Sequence, residues 1–277
     1  MSIFFGLLAI LFGACALVVT MSYAIVWYEN SNLDPSLVES RFQPHNLWLA
    51  ARLLVMETLL LGLTVLLHPL GWLAPRETAP DQGGSPPVLL LHGLFHNRAC
   101  WLWLKLQLRR RGHRAVYTIN LPPWKDIEAL TERVAKKIDA IRFAQGVDRV
   151  HLVGHSMGGM IARNYLQLRG GAPKVASCTL LAAPNSGSKL APFALSPLGR
   201  VLIPGSEFLQ RLAQAPLPEG LPLQVYYSRH DNMVLPFMHG RLQGAAEIEL
   251  TGMGHMAILY HPEAINPLLD ALSRRDK

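Results

Sequence analysis

Residues 149–166 read RVHLVGHSMGGMIARNYL. The stretch opens on an apolar run at 150–153, passes through Gly154-His155-Ser156-Met157-Gly158, and leaves in residues of helical character. A G-x-S-x-G pentad between a strand and a helix predicts a nucleophile elbow. Such a turn holds its serine in strained backbone geometry, with the hydroxyl pushed clear of the sheet. Strand and helix nearly touch there, so the residues two before and two after must be tiny. Gly154 and Gly158 meet that need. The helix that follows directs unpaired N–H groups at the turn, which favours negative charge beside the serine.

A serine hydroxyl is a poor nucleophile near neutral pH. It needs a base, and the base needs a group that fixes its tautomer. On a sheet of this kind the acid and then the histidine follow the serine along the chain. Asp231, in SRHDNMV, lies just beyond an apolar run ending near Tyr227. His255, in TGMGHMAILYHPE, lies just beyond the last such run, with Gly252 and Gly254 giving it a flexible approach. Glu207, after an earlier strand, is the rival acid. A tetrahedral oxyanion needs two donors. One is the backbone N–H of Met157, and the other is that of Leu94 in His92-Gly93-Leu94-Phe95-His96, with Phe95 as the neighbouring alternative.

Around the elbow the chain alternates strand and helix. Strands are expected at 87–91, 115–119, 175–182, 223–227 and 247–250. Helices are expected at 98–111, 127–144 and from the elbow to about residue 169. Ile127, Leu130, Val134, Ile138 and Ile141 keep a helical period that Gly146 ends. The alternation predicts an α/β fold: a mostly parallel central sheet with helices on both faces. Residues 185–222 form a short, proline-rich cap whose apolar side chains suit a lid or a packed loop.

LLLHGLFHN, VGHSMGGMIARNYL, AAPNSGS, YSRHDNMV and GMGHMAILYHP, in that order, resemble the bacterial lipase/esterase branch of the α/β-hydrolase superfamily. The resemblance covers residues 87–277. It implies an α/β-hydrolase catalytic domain and a serine carboxylester hydrolase, lipase or esterase, working through an acyl-enzyme. The alternatives are an acyltransferase using the same acyl-enzyme and an inactive scaffold with this fold. In such lipases the loop after the sixth strand often reads Pro-His-x-Gly-Ser. Here Pro184-Asn185-Ser186-Gly187-Ser188 departs at the second position, which weakens a triacylglycerol-lipase assignment.

The N-terminal residues 1–75 lie outside that resemblance. Residues 3–28 carry no charge, enough to span a bilayer as a tilted helix. A second apolar run at 47–67 is interrupted by Arg52, which can snorkel, and by Glu57, which needs a partner or a proton. The two runs predict a transmembrane hairpin, against a cleaved signal peptide for the first and an amphipathic or re-entrant helix for the second, joined through a Pro/Gly/Ser-rich linker at 76–86 to the domain at 87–277. Residues 1–75 hold 2 of the 26 basic and 4 of the 19 acidic residues, so the domain is strongly basic. That charge beside a membrane suits an anionic lipid surface, and no nucleic-acid motif accompanies it. Six basic residues and no acid between Arg98 and Arg114 favour the cytoplasmic side, as at a bacterial inner membrane. Lipid-like acyl esters are the expected substrates. No metal-ligand spacing and no Gly-rich phosphate loop is present, so neither metal nor cofactor is expected. Cys15, Cys100 and Cys178 give no disulfide framework.

Overall fold

The computed structural model describes residues 2–34, 36–73 and 85–273. The expected linker at 76–86 lies outside them except for Ser85 and Pro86. Six short segments form strands: β1 (Val88–Leu91), β2 (Val116–Ile119), β3 (Val150–His155), β4 (Val175–Leu181), β5 (Leu223–Ser228) and β6 (Ala246–Leu250). They make one sheet in the order β2-β1-β3-β4-β5-β6, and every described pair is parallel. β1 and β3 are buried along their whole length, which is why β1 reads as an unbroken apolar stretch rather than an alternating one.

Nine helices lie among the described residues. They are α1 (Ser2–Leu33), α2 (Ser36–Ser40), α3 (Pro44–Leu66), α4 (Leu102–Arg110), α5 (Ile127–Gln145), α6 (Met157–Arg163), α7 (Pro197–Val201), α8 (Glu207–Gln214) and α9 (Pro262–Ser273). The expected helix at 98–111 opens instead with a 3-10 turn, Arg98–Trp101. The helix after the elbow is α-helical only to Arg163 and widens into a π-turn, Asn164–Leu168. Ile127, Leu130, Val134, Ile138 and Ile141 turn one face of α5 onto the sheet, where they share a core with Leu89, Leu152 and Val225. The opposite face of the sheet is covered by α4 and α9, through residues such as Leu104, Leu108, Ile265 and Leu268. β1 has β2 on one side and β3 on the other. The winding therefore reverses between β1 and β3, and the loops leaving their carboxyl ends part to open a crevice.

α1 and α3 are both long and apolar enough to cross a membrane: the most apolar 18-residue windows of Ile3–Asn32 and Pro44–Leu66 have mean hydropathies of 2.6 and 1.9. They pack on each other through Val19, Tyr23 and Leu53. α1 runs five residues past the expected end at 28, and Glu29 in that extension pairs with Lys189.

The hairpin also lies lengthwise on the α/β domain. Arg52 donates to the carbonyl of Gly252 (2.8 Å), Tyr23 donates to that of His230 (3.2 Å), and Val26 packs on Leu190 and Leu235. Arg52 and Glu57 thus face protein. The outer face, with Leu17, Met21, Val55 and Leu59, stays uncovered and apolar.

Candidate active site

Ser156 sits at the tip of the turn between β3 and α6 with φ 53° and ψ −122°, a left-handed conformation that a non-glycine residue adopts only under strain. Its N–H donates to the Leu181 carbonyl (2.9 Å), tying the turn to the neighbouring strand. A Cβ on Gly154 would come within 2.6 Å of the Gly158 carbonyl oxygen, and one on Gly158 would collide with the carbonyl of Leu91. The turn can be this sharp only because both positions lack a side chain.

Asp231 and His255 come together as the sequence predicts. The Asp231 carboxylate lies 2.9 and 3.1 Å from Nδ1 of His255, and both side chains are almost fully buried. Asp231 Oδ1 also accepts the N–H groups of Met233 (2.7 Å) and Val234 (2.9 Å), which fixes the carboxylate in its own loop. Burial alone would depress the His255 pKa. The charge and hydrogen bond of Asp231, with a smaller contribution from Glu57, outweigh it and raise the pKa above 6.5. Glu207, the rival acid, lies exposed in the first turn of α8 and has no contact with the histidine.

Ser156 and His255 open into one cavity of about 460 Å³. Three of its walls stand out, beside the loop of Asn232, Met233 and Val234. Leu94, Phe95 and His96 come from the loop after β1, and Leu190, Ala191 and Ala194 from the cap. The third wall is the hairpin: Leu11, Ala14, Cys15 and Val18 of α1, with Leu61 and Val65 of α3. Met157 is the first residue of α6, so its N–H has no acceptor within the helix. Leu94 lines the same cavity, beside Phe95, which has φ 59°.

Two further histidines hold this geometry. His92 accepts the N–H of Leu121 at Nε2 (2.8 Å) and reaches the Gly93 carbonyl through Nδ1 (2.8 Å). Burial pushes its pKa down to about 4, so it braces the Leu94 loop as a neutral ring. His155, also driven far down by burial, donates through Nε2 to the carbonyl of His255 (3.1 Å).

Sequence reasoning missed two further groups. Asn232 accepts the His255 N–H (3.2 Å) and donates to Ser22 on α1 (2.8 Å). Glu57, flagged only as a charge in need of a partner, accepts the N–H groups of Met256 and Ala257 (2.8 Å each). Gly252 and Gly254 do not serve as flexible approach. A Cβ at Gly252 would strike the Arg52 guanidinium, and one at Gly254 would meet the Glu57 carboxyl and the Tyr23 hydroxyl at 2.5 Å. They are seats for the hairpin. Among the described residues, no three His, Cys, Asp or Glu side chains gather as a metal site.

A parallel sheet with this strand order, a strained serine after β3 and an Asp–His pair after β5 and β6 define the α/β-hydrolase class. Residues 88–229 match the alpha/beta hydrolase family, and the chain belongs to it. Among curated relatives it is similar to a triacylglycerol lipase of Pseudomonas fragi, 34% identical over 111 residues (38% of this chain, 36% of the lipase). A triacylglycerol lipase of Burkholderia plantarii is 32% identical over 132 residues (43% and 36%). A probable esterase of Oryza sativa subsp. indica is 32% identical over 108 residues (37% and 40%). The alignments span only a little over a third of these relatives' length. Among solved structures, the mature lipase BlEst2 of Bacillus licheniformis superposes with a TM-score of 0.60 at 20% identity, covering 71% of this chain and 96% of that one. Lipase B of Aspergillus fumigatus superposes at 0.58 and 19%, covering 73% and 55%. Both likenesses speak to the fold.

Proposed function

We propose that this protein is a membrane-bound serine ester hydrolase that cleaves lipid-like acyl esters. One observation carries the reading: the strained Ser156 opens into the same apolar cavity as His255, whose Nδ1 is held by a buried Asp231. In this reading Ser156 Oγ attacks the ester carbonyl, while Nε2 of His255 takes its proton and returns it to the leaving alcohol. Asp231 keeps the Nδ1–H tautomer and stabilises the imidazolium. The N–H groups of Met157 and Leu94 receive the oxyanion. Water then enters, with His255 as base, and the acyl-enzyme is hydrolysed.

The substrate class rests on the cavity wall. Seven of its lining residues are apolar side chains of α1 and α3, Val19 among them. The outer face of the same two helices is uncovered and apolar, which a lipid bilayer would satisfy and water would not. Together they favour an acyl chain that passes from the bilayer along the hairpin to Ser156. The lipase and esterase names of the relatives agree with an ester substrate. The test is hydrolysis of p-nitrophenyl acyl esters by the detergent-solubilised chain and by Ser156→Ala. The proposal expects loss of turnover in the variant, and equal rates would remove it.

A further inference from the structure

We infer that Glu57, on the membrane hairpin, is a positioning residue for His255, so that the hairpin forms part of the active site as well as a tether. The inference rests on the proposed role of His255 as base.

Glu57 lies in the middle of α3 and is 1% exposed. Its two oxygens are each spent on one backbone N–H, Oε2 on Met256 and Oε1 on Ala257. Those residues directly follow His255 and open the 3-10 turn Ala257–Leu259, whose first N–H groups have no acceptor within the turn. The loop is shaped to receive the carboxylate. At Gly254, directly before His255, any side chain would overlap the Glu57 carboxyl. The other face of the histidine is held through Asn232, which bridges its N–H to Ser22 of α1. The backbone of 255–257 is therefore gripped from α3 and, through one intermediary, from α1, while His155 holds the carbonyl.

Burying a carboxylate costs several kcal/mol unless its acceptors are filled, and an apolar residue would pack α3 against the domain with less expense. A base needs its ring held within a fraction of an ångström, and a displacement of about 1 Å costs ~10²-fold in rate. The Glu57 charge also acts on the His255 ring. The other groups that face the ring are Asp231 from the loop after β5, His155 from the end of β3, and His96 from the loop after β1. Burial keeps the latter two neutral, and Asp231 outweighs Glu57 in raising the pKa of the ring.

The experiment uses the full chain in detergent, with p-nitrophenyl butyrate, whose short acyl group does not reach along the hairpin wall. Glu57→Gln leaves one N–H facing an amide NH₂ in place of an oxygen, and it removes the charge. The expected result is a kcat about 10- to 100-fold lower with KM within about twofold. The acid limb of kcat should move to lower pH, because the imidazolium loses a stabilising charge. Glu57→Asp should recover part of kcat and the acid limb, and Gly254→Ala should lower kcat from the loop side of the same contact. Wild-type kcat and acid limb in Glu57→Gln would overturn the inference. So would loss of activity only in step with loss of the circular dichroism signal and thermal midpoint, which would make Glu57 a fold residue. If instead His255→Ala kept wild-type turnover, the proposed active site itself would fall.

Discussion

If the hairpin is the proposed acyl wall, replacing Ala14 by Trp should cost turnover of long-chain esters and spare that of short ones. Ala14 lies on α1 with its methyl group in the wall of the cavity above Ser156, and it carries no buried packing that the change would break. Each acyl methylene buried against such a wall contributes about 0.8 kcal/mol. That is close to a fourfold gain in kcat/KM per methylene while the chain stays inside the cavity. A cavity of about 460 Å³ leaves room for a chain well beyond butyrate. An indole in place of the methyl group would displace roughly four methylenes, a loss of about 3 kcal/mol or ~200-fold in kcat/KM for long chains. Butyrate, which sits near the serine, should change by no more than about twofold. The assay is kcat/KM for p-nitrophenyl esters from acetate to palmitate at detergent concentrations that keep each ester monomeric. An equal fall at every chain length, or an unchanged profile, would refute the hairpin as an acyl wall.

Other consequences follow from single contacts. His255 must be neutral to act as base and its pKa lies above 6.5, so kcat/KM should fall as pH drops through a value above 6.5. Asp231→Asn should move that limb down while lowering kcat at least about 10²-fold, as a pH-rate profile would read. Gly158→Ala forces a methyl group onto the Leu91 carbonyl and should cost about 1–3 kcal/mol, seen as a thermal midpoint lower by several degrees. His92→Ala strands the buried N–H of Leu121 and should cost about 1–3 kcal/mol in a denaturant melt, with kcat falling as the Leu94 loop loosens.

The hydrolase domain was legible because its strands are bounded apolar runs. Those at 87–91, 150–153 and 223–227 each reappear within two residues of their expected ends. The elbow was legible because the spacing of Gly154, Ser156 and Gly158 encodes a backbone collision, and such a constraint is local. α9 escaped notice because Pro267 interrupts the spacing of Ile265, Leu268, Leu269 and Leu272, although those four face the core. The seating of the hairpin could not be read at all. It depends on pairs some 200 residues apart, Arg52 with Gly252 and Glu57 with Met256, and a glycine kept small by a distant carboxylate looks like any loop glycine. The one signal was Glu57 itself, a charge where an apolar helix should have none.

The central claim, that Ser156 is a nucleophile activated by His255, is tested most directly by labelling with a fluorophosphonate probe and mapping the adduct by mass spectrometry. The account predicts one equivalent of probe on the peptide containing Ser156, none on Ser156→Ala, and a labelling rate in His255→Ala lower by at least about 10²-fold. An unlabelled wild-type chain, or an adduct that forms as quickly without the histidine, would contradict it.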